Sequence, residues 1–151
     1  MKGNTYYLGI DVGSVSTNFV LIDENDVIKE KTYLKTNGQP IKAICEGLEY
    51  IKRQLDKNYT FMPVIKGVGT TGSGRQLAAV IAGADVVKNE ITTHAVAAQK
   101  VVPDVKTILE IGGQDSKIII LRNGIVYDFA MNTVCAAGTG SFLDRQAARL
   151  G

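Results

Sequence analysis

The sequence has few of the features that mark secreted, membrane-spanning or nucleic-acid-binding proteins. Only two of its 151 residues are cysteines, which argues against a disulfide framework and favours a reducing, cytoplasmic setting. No apolar run approaches the roughly 20 residues that a helix needs to cross a bilayer, and no signal-peptide core precedes the first predicted strand. A formal net charge of +2 gives no argument for a nucleic-acid or membrane partner. Proline is scarce, and a hydrophobic content of 45% is that of an ordinary soluble globular protein.

The main pattern in the sequence is a three-stranded unit that occurs twice. The apolar strand Tyr6–Ile10 runs into the small and polar loop Asp11–Thr17, and two further strands follow. The strand Thr107–Ile111 runs into a similar loop, Gly112–Lys117, again followed by two strands. The two units predict an α/β chain in which two loops of similar chemistry face one ligand.

Both loops have the composition of a phosphate-binding site with a metal ion. Glycine allows backbone N–H groups to converge on an anion, and hydroxyl groups add further donors. Asp11 and Asp115 each follow an apolar strand and could hold Mg²⁺ directly or through water, because Mg²⁺ prefers oxygen ligands. Neither loop matches the pattern of a P-loop. Ordinary hairpin turns use the same residues, and the repetition is what favours a binding site.

Further elements are predicted between the two units. Residues 40–57 have the apolar spacing of an amphipathic helix, and Cys45 is expected on its buried stripe. Residues 61–68 are predicted to form a strand that leads into the loop 69–74, which consists of glycine and hydroxyl residues. This loop is either a third ligand-binding loop or a flexible connection. Helices over 75–82 and 90–102 flank a short strand at 85–88.

Three side chains outside the repeated loops are candidates for chemistry. His94 is the only histidine and is interpreted as structural, whereas Glu90 is a weak site candidate. Cys135 precedes a helix predicted to be capped by Ser141. The local sequence fits two roles for Cys135 equally well: a thiolate with a metal or redox function, or a small buried residue. One cysteine alone cannot hold an iron–sulfur cluster.

The chain resembles the BadF/BadG/BcrA/BcrD-type ATPase family, which comprises 2-hydroxyacyl-CoA dehydratase activators and ATPase components of benzoyl-CoA reductase. The resemblance rests on five stretches that follow in order along the chain: Gly9–Thr17, Gly67–Gly72, Glu90–His94, Ile111–Lys117 and Cys135–Phe142. It implies a ribonuclease H-like, actin-like ATPase lobe with a mixed sheet, antiparallel three-stranded units and flanking helices. It also implies ATP, Mg²⁺ and a [4Fe-4S] cluster as cofactors, a dehydratase or reductase as partner, and a homodimer.

The resemblance also assigns roles to particular residues. Asp11, Gln114 and Asp115 would be catalytic, with Asp11 and Asp115 handling Mg²⁺, and Cys135 would ligate the cluster. The residues implied in nucleotide binding are Gly13, Ser14, Ser16, Thr17, Thr70, Thr71, Gly112, Gly113, Gln114, Ser116, Lys117, Gly138 and Thr139.

The sequence departs from the family's pattern in two ways that change what is expected of this chain. Asn18 stands where the family often has a basic residue, which weakens a phosphate contact there. The chain stops at Gly151, so residues 1–151 are expected to form only the first lobe, without the second cluster cysteine. The leading hypothesis is the ATPase lobe of an electron-transferring activator. The alternatives are a kinase of a small sugar or polyol and a non-catalytic ATP-binding module.

Overall fold

The computed structural model describes residues 5–58, 63–132 and 139–151. The strands are β1 (Thr5–Val12), β2 (Ser16–Asp23), β3 (Ile28–Lys35), β4 (Val64–Thr71), β5 (Val86–Val87), β6 (Thr107–Ile111), β7 (Ser116–Arg122) and β8 (Ile125–Met131). The helices are α1 (Pro40–Asn58), α2 (Arg75–Ala82), α3 (Glu90–Val101) and α4 (Gly140–Leu150). The chain divides into two compact units, Met1–Asn89 and Glu90–Gly151.

The first unit contains a five-stranded mixed sheet in the order β3-β2-β1-β4-β5. Strands β1, β2 and β3 form an antiparallel meander, while β4 pairs in parallel with β1 and with β5. Alternate residues of β1 point to opposite faces, so Leu8, Ile10 and Val12 are buried in a core shared with α1 and α2. Asp11 therefore lies on the other face of the sheet, at the end of the strand.

Helix α1 packs closely on β2. A methyl group on Gly47 would overlap the ring of Phe19, so glycine at this position lets the helix approach the sheet. The buried stripe includes Ile44, Ile51 and Leu55. Cys45 is exposed, and the prediction that it lies on the buried stripe is wrong. Ala43 and Ile44 both lie on the buried face, and a further turn of about 100° per residue carries Cys45 off that face into solvent.

The second unit contains a separate antiparallel sheet in the order β6-β7-β8. Its small core consists of Ile119 and Leu121 on β7 packed with Ala95 of α3. Helix α4 begins at Gly140 after Thr139 in an extended conformation. The prediction that Ser141 caps this helix is wrong, because Ser141 already lies inside its first turn.

The predicted α/β class, with a mixed sheet, antiparallel three-stranded units and flanking helices, is confirmed. The second antiparallel unit forms a sheet of its own. The main difference in element bounds is in β4, which runs on to Thr71. Thr70 and Thr71 belong to this strand because they pair with Ile10 and Asp11 of β1, so the loop expected over 69–74 is shorter.

Candidate functional site

In the first unit, the loop between β1 and β2 is a tight turn that is held in shape by hydrogen bonds from Thr36, the residue after β3. The Gly13 N–H donates to the carbonyl of Ser16 at 2.8 Å. Thr36, buried just after β3, donates through its hydroxyl to the Gly13 carbonyl at 2.8 Å and through its N–H to the Val15 carbonyl at 2.9 Å. A further hydrogen bond of 3.0 Å joins the hydroxyls of Thr36 and Thr17. These bonds fix the shape of the loop before any ligand binds.

A second loop, between β4 and α2, lies against the same end of β1. The Gly74 N–H donates to the Val12 carbonyl at 2.8 Å, and the Ser73 hydroxyl donates to the same carbonyl at 3.3 Å. Gly72 has a φ of +90°, and a Cβ there would collide with the Val12 carbonyl and with Asp11 Oδ1. Only glycine satisfies both the conformation and the close approach, and the loop is thereby held beside Asp11.

Asp11 is flanked on the sheet by polar residues of both neighbouring strands. It lies in register with Asn18 on β2 and with Thr71 on β4. The Asn18 amide nitrogen donates to Asp11 Oδ2 and to Ser16 Oγ, each at 3.3 Å. The Asn18 amide oxygen is buried and has no hydrogen-bond partner among the described residues.

In the second unit, the loop from Gly112 to Asp115 is bound by the start of α4. The Gly112 N–H donates to the Asp115 carbonyl at 2.8 Å, which closes the loop. The N–H groups of Gly140 and Ser141 donate to the carbonyls of Gly112 and Gly113 at 2.8 and 3.1 Å. The buried Thr139 hydroxyl adds a bond of 3.2 Å to the Gly113 carbonyl. Two N–H groups at the start of α4 are therefore used to position the loop.

Lys117 forms ion pairs with two carboxylates inside the second unit. Its side chain is 5% exposed, and its ammonium lies 2.8 Å from Asp115 Oδ1 and 3.0 Å from Glu110 Oε2. Burial opposes the charge, but the hydrogen bonds to Asp115 and Glu110 outweigh it and raise the pKa of Lys117 above its ordinary value. Lys117 remains protonated at neutral pH and holds one oxygen of Asp115 in place.

Ser116, which opens β7, is held by its backbone while its hydroxyl lacks a partner. Its N–H donates to Asn132 Oδ1 at 2.9 Å, and its carbonyl accepts from the Asn132 N–H at 3.1 Å. The Ser116 hydroxyl is buried with no hydrogen-bond partner among the described residues. The buried side-chain atoms without partners in the described part of the chain are thus Asn18 Oδ1 and Ser116 Oγ, one beside each of the repeated loops. Such atoms are costly unless something binds them.

The predicted site residues are distributed over the two units. Asp11, Gly13, Ser14, Ser16, Thr17, Thr70 and Thr71 lie in the first unit, and Gly112, Gly113, Gln114, Asp115, Ser116, Lys117 and Thr139 lie in the second. Cys135 and Gly138 lie outside the described residues. Two of the predicted hydroxyls have structural partners: Thr17 bonds Thr36, and Thr70 donates to the carbonyl of Arg75 at 3.0 Å.

Three residues that shape the loops were not predicted from the sequence: Thr36, Glu110 and Asn132. Glu110 could have been found, because it is the one charged residue in the apolar strand β6 and buried charges are usually paired. Thr36 and Asn132 act on segments 23 and 16 residues away, and no local pattern indicates such contacts.

Among the described residues, no group of three or more histidine, cysteine, aspartate or glutamate side chains forms a metal cage. Mg²⁺ held by one or two carboxylates together with phosphate and water needs no such cage. Asp11 and Asp115 have the oxygen chemistry that suits it. Beside Asp11 lies the Asn18 amide oxygen, which has no partner among the described residues, and the Asp115 side chain is 39% exposed. No helix within the described ranges is long and apolar enough to cross a membrane.

Comparisons with solved structures identify the fold. It is the ribonuclease H-like fold of actin-like ATPases. At 13% identity and a TM-score of 0.59, an ethanolamine utilization protein of Carboxydothermus hydrogenoformans shares the fold over 97% of this chain and 58% of its own.

The chain belongs to the BadF/BadG/BcrA/BcrD ATPase family, whose model matches residues 8–151. It is 38% identical over 148 residues to the (R)-2-hydroxyglutaryl-CoA dehydratase activating ATPase of Acidaminococcus fermentans, covering 94% of this chain and 52% of the relative. It is also similar to the solved activator of 2-hydroxyisocaproyl-CoA dehydratase from Clostridium difficile with bound ADPNP. That likeness has a TM-score of 0.75 and 32% identity, over 96% of this chain and 52% of the activator. The chain thus spans about half the length of these relatives.

Proposed function

We propose that this chain supplies nucleotide-binding residues of an ATP-dependent activator. The activator would couple ATP hydrolysis to low-potential electron transfer from a [4Fe-4S] cluster to a 2-hydroxyacyl-CoA dehydratase or a benzoyl-CoA reductase-like partner. The observation that carries the proposal is the repeated loop with its aspartate, together with one buried polar atom in each unit that has no partner among the described residues. The similarity to an activator solved with bound ADPNP supports ATP as the ligand.

In this proposal both repeated loops bind the phosphates of ATP. Their backbones are already fixed by Thr36 in the first unit and by Thr139 in the second, so little ordering would be needed on binding. The Ser116 hydroxyl would donate to a phosphate oxygen and thereby gain the partner that it lacks among the described residues. Gln114 is exposed and would orient the attacking water.

The aspartates would hold the metal that ATP brings. Asp11 and Asp115 would bind Mg²⁺ directly or through its waters, and Mg²⁺ when bound supplies neutralisation of the charge that develops on the phosphoryl group. Lys117 binds Oδ1 of Asp115 and would hold that carboxylate in one orientation. The protein's share of catalysis would then be positioning and electrostatics.

The division into lobes is also a proposal. Each compact unit is built on its own sheet, and we place the first lobe in residues 1–89 and the second antiparallel unit in a second lobe. This proposal differs from the prediction that residues 1–151 together form the first lobe.

The first test measures ATP affinity and ATP turnover in the intact protein. Asp11→Asn and Asp115→Asn should each lower turnover by about 100-fold or more, because each removes a charge that acts in the transition state. Asp128→Asn is the matched control, since the Asp128 side chain is exposed and accepts a bond from the adjacent Phe129 N–H. Unchanged nucleotide affinity in both site variants would favour a non-catalytic module. Turnover that requires an added sugar would favour a kinase.

The cluster is tested through the two cysteines. A [4Fe-4S] cluster supplies one-electron chemistry and takes four thiolates, so Cys135 would provide one ligand from each subunit of a homodimer. Cys135→Ala should abolish the iron–sulfur absorbance of the reconstituted intact protein. Cys45→Ala is the control and should leave the spectrum unchanged, because Cys45 is an exposed residue of α1. Loss of absorbance in both variants, or in neither, would remove Cys135 as a specific ligand.

A further inference from the structure

We propose that Asn18 is a positioning residue for hydrated Mg²⁺. Its amide oxygen accepts a hydrogen bond from a water molecule that is bound to the cation beside Asp11. This inference rests on the proposed function, because it takes Asp11 as a residue that handles Mg²⁺. It adds a residue to which the sequence pattern assigned no such role.

The orientation of the Asn18 amide is fixed by its neighbour. Asp11 Oδ2 can only accept a hydrogen bond when ionised, so the group 3.3 Å away must be the amide nitrogen of Asn18. The reverse orientation would place the amide oxygen against a carboxylate oxygen. The oxygen of Asn18 therefore points away from Asp11 Oδ2 and needs a donor from elsewhere.

The described residues do not provide that donor. Asn18 Oδ1 is buried and has no hydrogen-bond partner among them, although a buried acceptor without a partner is destabilising. Because the atom is buried, only a small donor could reach it, and water is the smallest donor that accompanies a nucleotide and its metal ion. The phosphate oxygens of ATP are almost entirely deprotonated near neutral pH, so they accept hydrogen bonds and cannot serve as the donor to Asn18 Oδ1.

Position on the sheet connects that water to the metal. Asn18 and Asp11 are direct partners across β1 and β2, on the sheet face opposite the core residues Ile10 and Phe19. Mg²⁺ keeps several of its waters when it binds to proteins. A carboxylate and an amide oxygen side by side can accept from neighbouring waters of one cation, which orients the hydrated ion. Outer-shell partners of this kind typically change metal affinity by about 10- to 100-fold.

The test uses two substitutions of nearly the same size as asparagine. Binding of ADPNP to the intact protein is measured by calorimetry over a series of Mg²⁺ concentrations, and the readout is the Mg²⁺ concentration that gives half-maximal binding. Asn18→Leu removes the acceptor and should raise this concentration about tenfold. Asn18→Asp keeps an acceptor and adds a negative charge, so it should lower the concentration several-fold while weakening binding without Mg²⁺.

Opposite shifts in the two variants distinguish a role towards the cation from a structural role, which would weaken binding in both. Asn58 offers matched controls, because its amide also donates to a carboxylate, that of Glu30, at 2.9 Å on the exposed surface. Asn58→Leu and Asn58→Asp should leave the Mg²⁺ dependence unchanged.

The possible failures are separable. If the wild-type protein binds ADPNP without any dependence on Mg²⁺, or does not bind it, the proposed function itself fails. If wild-type binding depends on Mg²⁺ and both Asn18 variants match the wild type or shift in the same direction, the inference about Asn18 is overturned. The water at Asn18 would then be structural only.

Discussion

Replacing Lys117 by methionine should destabilise the second unit strongly while leaving the first unit almost unchanged. The ammonium of Lys117 is the counter-charge for both Glu110 and Asp115, at 3.0 and 2.8 Å. Methionine fills a similar volume but leaves the two carboxylates without it. Removing one partner of a buried ion pair costs roughly 3–5 kcal/mol. Because the Asp115 side chain is 39% exposed and water can partly solvate it, we expect about 3 kcal/mol.

The assay is hydrogen exchange followed by mass spectrometry, because it reports the stability of each unit separately. In Lys117→Met, amides of β6 and β7 should exchange about 100-fold faster, which corresponds to roughly 3 kcal/mol. Amides of β1 and β2 should be unaffected. Lys29→Met is the control, because the Lys29–Asp23 pair has a similar distance of 2.8 Å but its lysine side chain is 33% exposed, against 5% for Lys117. Its loss should accelerate exchange far less than the loss of Lys117, because surface ion pairs contribute little to stability.

A double-mutant cycle separates the charge interaction from packing. Glu110→Gln combined with Lys117→Met should be less harmful than the sum of the two changes, with a coupling of about 1–3 kcal/mol. Additivity within about 0.5 kcal/mol, or equal effects of Lys117→Met and Lys29→Met, would refute the description of Lys117 as a buried counter-charge.

The pH dependence follows from the direction of the pKa shift. The pKa of Lys117 is raised in the folded protein by Asp115 and Glu110 against the opposing effect of burial. The stability that this shift contributes is fully present below the ordinary lysine pKa and is lost as the pH rises through the raised value. The difference between wild type and Lys117→Met should therefore be constant near neutral pH and shrink only in strongly alkaline solution. A difference that shrinks between pH 6 and pH 8 would contradict this account.

Three further substitutions test the loops. Gly72→Ala should destabilise the first unit by more than about 1 kcal/mol and weaken ATP binding, because alanine at a φ of +90° would clash with the Val12 carbonyl; unchanged chemical unfolding would contradict the assigned conformation. Thr36→Val should cost about 1–3 kcal/mol in the same assay, because it leaves the buried Thr17 hydroxyl without its partner; a neutral effect would show that the bond does not support the loop. Ser116→Ala should leave stability unchanged or slightly raised, since it removes a buried hydroxyl without a partner among the described residues, yet weaken ATP binding several-fold in calorimetry; unchanged affinity would remove Ser116 from the phosphate site.

Local patterns predicted the elements well. Apolar runs that lead into polar loops gave the strands of both antiparallel units, and helical spacing of apolar residues gave α1, because burial of one helix face dictates that spacing. The end of β4 was mispredicted because Thr70 and Thr71 have the composition of a loop, while pairing with β1 keeps them in the strand. Cys45 was predicted on the wrong face of α1 because it directly follows the buried Ile44, and one residue is enough to turn a helical side chain from the buried face towards solvent.

The site was predictable in its loops but not in the contacts that fix them. Glycine, hydroxyl and aspartate residues after apolar strands identified both loops. The support from Thr36 and Asn132 comes from distant parts of the chain, and a single sequence holds no signal for such pairs. Nor could it show that the Thr17 and Thr70 hydroxyls bind protein partners, since composition does not distinguish a hydroxyl that faces a ligand from one that braces a loop.

The most direct test of the proposed activator is anaerobic reconstitution of the intact protein, with iron, sulfide and ATP turnover measured on the same sample. The account predicts an oxygen-sensitive brown protein with about four iron atoms per dimer, as one four-thiolate cluster requires, together with hydrolysis of ATP. A colourless protein that still hydrolyses ATP or transfers its phosphate would contradict the account and indicate a plain ATPase or a kinase.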